Sequence, residues 1–500
     1  MRLKFWLRLL AIVLVAAGLR LVNLNGRPLW YDEAFAVLYA EKPLGAILYG
    51  TITPVDGAAA DVHPLLYYFL LHFWMAVMGQ SPFAVRLPSV LLGVATIPLV
   101  YLVARELFDK RAGWWAAGLT AVAPFHIHYS QQARMYSLLC FLSLAAVYGF
   151  VRGWRPGGWR NWALFALAGT LSLYTHNLAF LTLMALGFFV LLARQWRLVK
   201  PLMAAYAGIA LFFGPWLLAV PGQLGKVQQA YWVPRPGPAE LVRTLMIFHF
   251  NLPIPSWLLP MALFFSLAAP TLILYRALRG PQPAANERPA WLLLTCLALL
   301  PPLLMFLISQ WRSIYIERGV IMSAVAYYIL AGRALTQTRP VRWKYLAILG
   351  PVAMVAAISL GYDYTFDKFP RPPFPELVAY LRAEVQPGDV VIHSNKLSFL
   401  PAHYYDRTLP QDFIADPAGS GSDTLALPTQ QALGLFATNL ETAAAGHKRV
   451  WLVIFSRAIA EYQAAGADDH PHRSWLKAHY QQQWKEQFSD LMVYLYVREE

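Results

Sequence analysis

Apolar residues in this chain come in long unbroken runs rather than in the alternations of a soluble core. The runs lie at roughly 5–23, 64–79, 87–104, 113–129, 137–151, 161–175, 178–193, 201–220, 257–275, 290–308, 319–332 and 345–361. Most approach the ~20 residues that a helix needs to cross a ~30 Å hydrocarbon core. The pattern therefore predicts an α-helical polytopic membrane protein over residues 1–361.

After about Tyr362 the pattern changes. Phe369–Pro375 is rich in proline and predicts a stiff extended connector. Residues 376–385 have helical spacing, Gln386–Asp389 reads as a turn, and Val390–His393 reads as a strand. A helix near 433–445 and strands at 449–455 and near 491–497 complete a helix–strand alternation. That alternation predicts a small α/β domain over 362–500. Residues 416–422, rich in Gly, Ser and Asp, read as a loop. No internal or inverted repeat points to a solenoid or a transporter.

The run Pro64–Gly79 decides the topology. It is short for a crossing and carries His72. If it crosses, five basic segments around Arg105/Lys110/Arg111, Arg152/Arg155/Arg160, Arg194/Arg197/Lys200, Arg276/Arg279/Arg288 and Arg333/Arg339/Arg342/Lys344 fall opposite the basic N-terminus. If it lies flat in the interface, all five join the N-terminus on one side. The positive-inside rule selects the flat helix, a cytoplasmic N-terminus and about eleven transmembrane helices. The first external loop (about 24–86), the loops around 130–136 and 174–177, the segment 310–318 and the C-terminal domain then share the external side.

Composition adds little beyond this. At 58% hydrophobic and 14% charged, with mean hydropathy +0.43, the chain is outside the range of soluble domains. The net charge of +14 would suggest nucleic acid only if it formed a basic face on a soluble domain. Here it follows the loops, so no nucleic-acid partner is expected. Cys140 and Cys296 fall within apolar runs and predict no structural disulfide. The basic start with its apolar stretch to about Leu24 reads as an uncleaved signal-anchor.

The candidate chemistry gathers on the external side. Asp32 and Glu33, in Leu29-Trp-Tyr-Asp-Glu-Ala-Phe35, are either a site or solvated members of an aromatic belt. A carboxylate there could act as general base on an acceptor hydroxyl or amine. Arg134 suits a phosphate, since a guanidinium binds two oxygens at once, although a snorkelling role is the alternative. Arg318 is a second candidate cation, or a partner of Glu317. His63 could contact phosphate or acceptor, or cap the flat helix. His176 could do the same, or merely supply a polar turn. Arg86 reads as a structural anchor, and Tyr231 and Trp232 read as belt residues.

Four segments in order carry a family resemblance: Trp30-Tyr-Asp-Glu-Ala34, His63-Pro-Leu-Leu-Tyr-Tyr68, Arg86-Leu-Pro-Ser89 and Tyr129-Ser-Gln-Gln-Ala-Arg-Met-Tyr136. Together they resemble the family-39 type of glycosyltransferase, within the GT-C superfamily. Its members include dolichyl-phosphate-mannose–protein mannosyltransferases and lipid A aminoarabinose transferase. The likeness covers roughly the first 200 residues well and the later spans loosely. It implies an inverting transfer from a polyprenyl-phosphate sugar to an extracytoplasmic acceptor at a bacterial plasma membrane, the acceptor being a protein, a glycolipid or an envelope glycan. It also implies interfacial helices in the first external loop. Asp32 maps to the family's loop acid, with Glu33 beside it, and His63, Arg134, Tyr136, His176 and Arg318 are the expected substrate contacts. Many relatives carry an acid where this chain has Gln131 and Gln132, so catalysis without a metal or other cofactor is expected. The alternative is a transporter or flippase of a lipid-linked saccharide. It is disfavoured because charged residues are scarce at mid-span.

Overall fold

The computed structural model describes residues 2–55, 58–59, 61–155, 157–229, 233–279, 287–336, 343–417 and 424–499. Tyr231, Trp232, Arg339, Arg342 and most of the loop 416–422 lie outside them. Helices occupy the apolar runs. Among the described residues six are long and apolar enough to cross a membrane: Pro82–Leu107, Tyr136–Trp154, Trp196–Leu217, Ser256–Tyr275, Arg288–Ile308 and Glu317–Thr336. Leu66–Met78, in the run that decided the topology, has only 13 residues. At 1.5 Å per residue it is about 20 Å long, suited to an interfacial position.

The run 113–129, expected as one helix, is two: Lys110–Val122 and Pro124–Ser130. Pro124 has no N–H, and Ala123 is extended at φ −68°, ψ 117°, so the preceding carbonyls lose their helical partners. Arg20 replaces those partners. Its guanidinium donates to Ala121 O at 2.9 Å, to Thr120 O at 3.4 Å and to Ala16 O at 2.9 Å, and lies 2.8 Å from His126 Nδ1. The break lets the chain after Pro124 swing its polar segment 128–136 under the first loop.

Small residues let the helices approach closely, as apolar surroundings require. A Cβ on Gly332 would lie 2.7 Å from the Ala116 backbone nitrogen, where helices Lys110–Val122 and Ile321–Thr336 meet. Gly332→Val should therefore cost on the order of 2 kcal/mol through overpacking. A thermal unfolding midpoint in detergent within a degree of wild type would contradict this. Cys140 and Cys296 are both buried and unpaired.

Beyond Thr365 the chain builds a six-stranded sheet. In spatial order its strands are Ala437–Thr438, Gln411–Ile414, Val390–His393, Arg449–Phe455, Leu491–Val497 and Gln481–Phe488. The first four run parallel and the last two join antiparallel. Alternate residues fill opposite faces: Val450, Leu452 and Ile454 on one, Trp451, Val453 and Phe455 on the other. Helix Phe374–Glu384 covers the second face through Phe374, Leu377 and Leu381. The helix expected near 433–445 is instead Leu427–Leu433, a short strand and Leu440–Ala444, because Gly434 at φ 70° ends the first helix in the left-handed region.

This sheet region rests on the segment between the first helix and helix Pro82–Leu107. Helix Lys396–Tyr405 packs along helix Tyr31–Ala40. Leu29 N donates to Tyr405 Oη at 2.9 Å, Arg407 pairs with Glu41 at 2.7 Å, and Thr429 Oγ1 donates to Gly50 O at 2.8 Å.

Candidate active site

Asp32 and Glu33 occupy the first turn of helix Tyr31–Ala40, where the helix dipole favours acids. Adjacent helical residues point about 100° apart, and here that separates their surroundings completely. Glu33 is 0% exposed and bonded on both oxygens by Arg86, with Nε to Oε1 and Nη2 to Oε2 each at 2.8 Å. Its Oε1 also accepts Ala133 N at 2.9 Å. Arg86 gives its remaining hydrogens to the carbonyls of Leu24, Arg27 and Pro28 at 2.7, 2.8 and 3.1 Å. Glu33 and Arg86 thus rivet the first loop, helix Pro82–Leu107 and the segment 131–135 together.

The rivet sets Arg134 against Asp32. Arg134 Nη1 donates to the Asp32 carbonyl at 3.3 Å, and its Nε lies 3.9 Å from Asp32 Oδ2. Arg318, in the 3₁₀ turn Glu317–Val320, brings Nη2 to 3.7 Å from the same oxygen. Its sequence neighbour Glu317 pairs with Arg243 instead, at 3.4 Å. A guanidinium also lies over an aromatic face here, with Arg318 5.5 Å from the Tyr136 ring. Burial opposes the charge of Arg134, yet the nearby Asp32 carboxylate holds it well in the protonated form.

The two histidines border this group. His63 does not cap helix Leu66–Met78, which has no side-chain cap; its Nδ1 lies 2.9 Å from Asp61 Oδ1 and its Nε2 3.4 Å from Arg134 Nη2. His176 stands nearly perpendicular to it, ring centres 6.2 Å apart, and packs beside Tyr136 at 6.1 Å. His176 Nδ1 accepts Leu178 N at 3.1 Å, which leaves the proton on Nε2. Burial, then the proximity of His63, Arg318 and Arg134, pushes the His176 pKa well down, so the ring stays neutral.

The structure therefore brings Asp32, His63, Arg134, Tyr136, His176 and Arg318 to one place, while Glu33 faces Arg86 instead. Asp61 joins them and was not singled out from sequence. Its one signal in the sequence is its place two residues before His63. Gln131 is structural, bonded to Arg27 and to the carbonyls of Arg20 and Val22 at 2.9, 3.1 and 2.8 Å. Gln132 reaches His128, which in turn bonds Asp363 at 2.8 Å. Several buried polar atoms around the cluster make no hydrogen bond: Asp32 Oδ2, Arg134 Nε, Tyr136 Oη and His176 Nε2. Atoms without a partner inside the protein are free to bond a ligand that reaches the cluster. Among the described residues no group of three or more His, Cys, Asp or Glu could hold a metal ion.

Residues 62–218 match the family described as dolichyl-phosphate-mannose-protein mannosyltransferase. An undecaprenyl phosphate-alpha-4-amino-4-deoxy-L-arabinose arabinosyl transferase of Pseudomonas paraeruginosa is 31% identical over 222 residues, covering 42% of this chain and 40% of that protein. A putative mannosyltransferase of Bacillus subtilis is 25% identical over 222 residues, covering 42% and 32%. The matched stretch thus spans less than half the length of these curated relatives. Among solved structures, ArnT from Cupriavidus metallidurans in the apo state superposes with a TM-score of 0.66 at 14% identity, covering 99% of this chain and 98% of that one. The same protein bound to undecaprenyl phosphate gives 0.63 at 15% identity, covering 98% of each chain. An Archaeoglobus fulgidus oligosaccharyltransferase gives 0.56 at 14% identity, covering 99% and 74%. The chain has the fold of the GT-C glycosyltransferases, the class that its sequence motifs resemble.

Proposed function

We propose that the protein transfers a sugar from a polyprenyl-phosphate donor to an extracytoplasmic acceptor, with Asp32 as general base and Arg134 and Arg318 holding the phosphate. The observation that carries this reading is the Asp32 carboxylate set between two guanidiniums, at 3.9 and 3.7 Å. Two fixed cations around one small anion form a ready phosphate site, and without phosphate Asp32 stands in as their counterion. When phosphate takes over the guanidiniums, Asp32 Oδ2 is released to accept a proton.

The acceptor O–H then gives its proton to Asp32 as its oxygen attacks the sugar's anomeric carbon. The bond from that carbon to the phosphate oxygen breaks on the opposite face, which inverts the configuration. Polyprenyl phosphate leaves with one more negative charge, and the two arginines stabilise the charge as it develops. They supply the positive charge that a divalent metal would otherwise provide, so this reading needs no metal. His176 Nε2–H offers a neutral donor to the substrate. Glu33 acts by positioning, through Arg86 and Ala133.

The likeness to ArnT and the charge pattern support a bacterial plasma membrane, with the site and the C-terminal domain outside and the N-terminus inside. Arg134→Gln and Arg318→Gln should each weaken polyprenyl phosphate binding about tenfold or more, the worth of a charge-assisted contact. Titration of the purified variants with the lipid phosphate checks this, and wild-type affinity in both would remove the clamp. The function itself is tested in a deletion strain. Mass spectrometry should show one polyprenyl-phosphate sugar accumulating and one envelope glycan, glycolipid or protein losing that sugar. An unchanged envelope with unchanged lipids would refute it.

A further inference from the structure

The hydrogen-bond roles around His63 are fixed from both ends. Asp61 Oδ1 lies 2.9 Å from His63 Nδ1 and also accepts Val62 N at 2.6 Å. Burial alone would raise the Asp61 pKa, but the hydrogen bonds from His63 and from Val62 N and the charge of Arg134 hold it below the usual carboxylate range, so it is ionised and can only accept. Nδ1 must therefore carry the proton. At the other end Arg134 Nη2, 3.4 Å from Nε2, can only donate. A neutral His63 then offers its Nε2 lone pair to that N–H. Both neighbours demand the same tautomer.

The segment that carries Asp61 is itself anchored. Asp61 N donates to Thr51 O at 3.1 Å, and Asn177 Nδ2 donates to Val62 O at 3.0 Å and to Gln223 Oε1 at 2.9 Å. Asn177 directly follows His176, so the anchors join the two histidine segments. The line from Asp61 through His63 ends on Nη2 of Arg134, whose Nε makes no hydrogen bond and sits beside Asp32.

We propose that Asp61 is a positioning residue of the site: it fixes His63 as an acceptor toward Arg134, and so aims the guanidinium at the donor's phosphate. This rests on the phosphate-clamp reading above and adds a residue to which nothing in that reading gave a part. It has the logic of a carboxylate that sets the tautomer of a neighbouring imidazole, applied here to a binding group rather than to a base.

The test is a thermodynamic cycle read by binding of a short-chain polyprenyl phosphate to the purified full-length protein in detergent. Asp61→Asn should weaken binding about tenfold, because an asparagine can donate to Nδ1 and turn Nε2 into a competing donor. In an Arg134→Gln background the same change should cost less than about twofold, since the group it aims is gone. His63→Gln offers a carbonyl oxygen in place of Nε2, so on that background Asp61→Asn should again cost less than about twofold. His63→Phe, with Asp61 intact, removes the acceptor and should weaken binding about tenfold, which keeps the test decisive if Asp61→Asn folds poorly; wild-type affinity there would also overturn the proposal. A tenfold loss that persists in both backgrounds would show an ordinary structural role and overturn the proposal. So would wild-type affinity in Asp61→Asn. Failure of the wild type itself to bind the lipid phosphate would instead overturn the clamp reading.

Discussion

Asp32→Asn should abolish sugar transfer, by about a thousandfold or more, while polyprenyl phosphate binding survives. Positioned general bases contribute about 10²–10⁴-fold to rate, and asparagine has the shape of aspartate without the ability to take a proton. Binding should hold or tighten, because in the unliganded site Asp32 competes with phosphate for Arg134 and Arg318. The prediction thus separates two parameters that a folding defect would lower together. Turnover and lipid-phosphate affinity, measured on one preparation, check it. Turnover near wild type would remove Asp32 as the base, and a parallel loss of affinity would make it a structural residue.

The second large effect concerns its neighbour. Glu33→Ala should destabilise the protein by about 3–5 kcal/mol, because it leaves Arg86 charged and buried without its partner. The pair is at most 1% exposed, so solvent cannot compensate. Arg86→Ala should cost a similar amount for the mirror reason. Replacing both at once, as Glu33→Met with Arg86→Met, should cost less than either single change, since no uncompensated charge remains. Thermal unfolding midpoints in detergent read all three. Singles that behave like wild type, or a double that simply adds their losses, would contradict the rivet.

These contrasting roles for two adjacent acids show what the sequence could and could not convey. Periodicity and loop charge drew Asp32, His63, Arg134, His176 and Arg318 to one face, and the structure brings them within reach of each other. Adjacency made Glu33 look like a partner of Asp32. Only the packing against Arg86 shows that its carboxylate points into protein. Asp61 escaped notice because an acid in a short Ala- and Gly-containing loop has no periodic signature, and its meaning lies in one hydrogen bond with His63.

The fold shows the same division. Apolar runs located the long helices, yet the run 113–129 hid a break that Pro124 could have announced. Strands Val390–His393, Arg449–Phe455 and Leu491–Val497 were legible because they are nearly continuous apolar stretches buried on both faces. Strand Gln481–Phe488 was not. It is a largely exposed edge strand of mainly polar residues, held by pairing with Leu491–Val497 rather than by any pattern of its own.

The most direct measurement is incubation of the purified protein with a labelled polyprenyl-phosphate sugar and an envelope extract, followed by separation of lipid products. The account predicts release of free polyprenyl phosphate together with label in an acceptor, at a rate that Asp32→Asn removes. Label that stays on the lipid while the intact lipid-linked saccharide crosses a reconstituted bilayer would contradict it and point to a transporter.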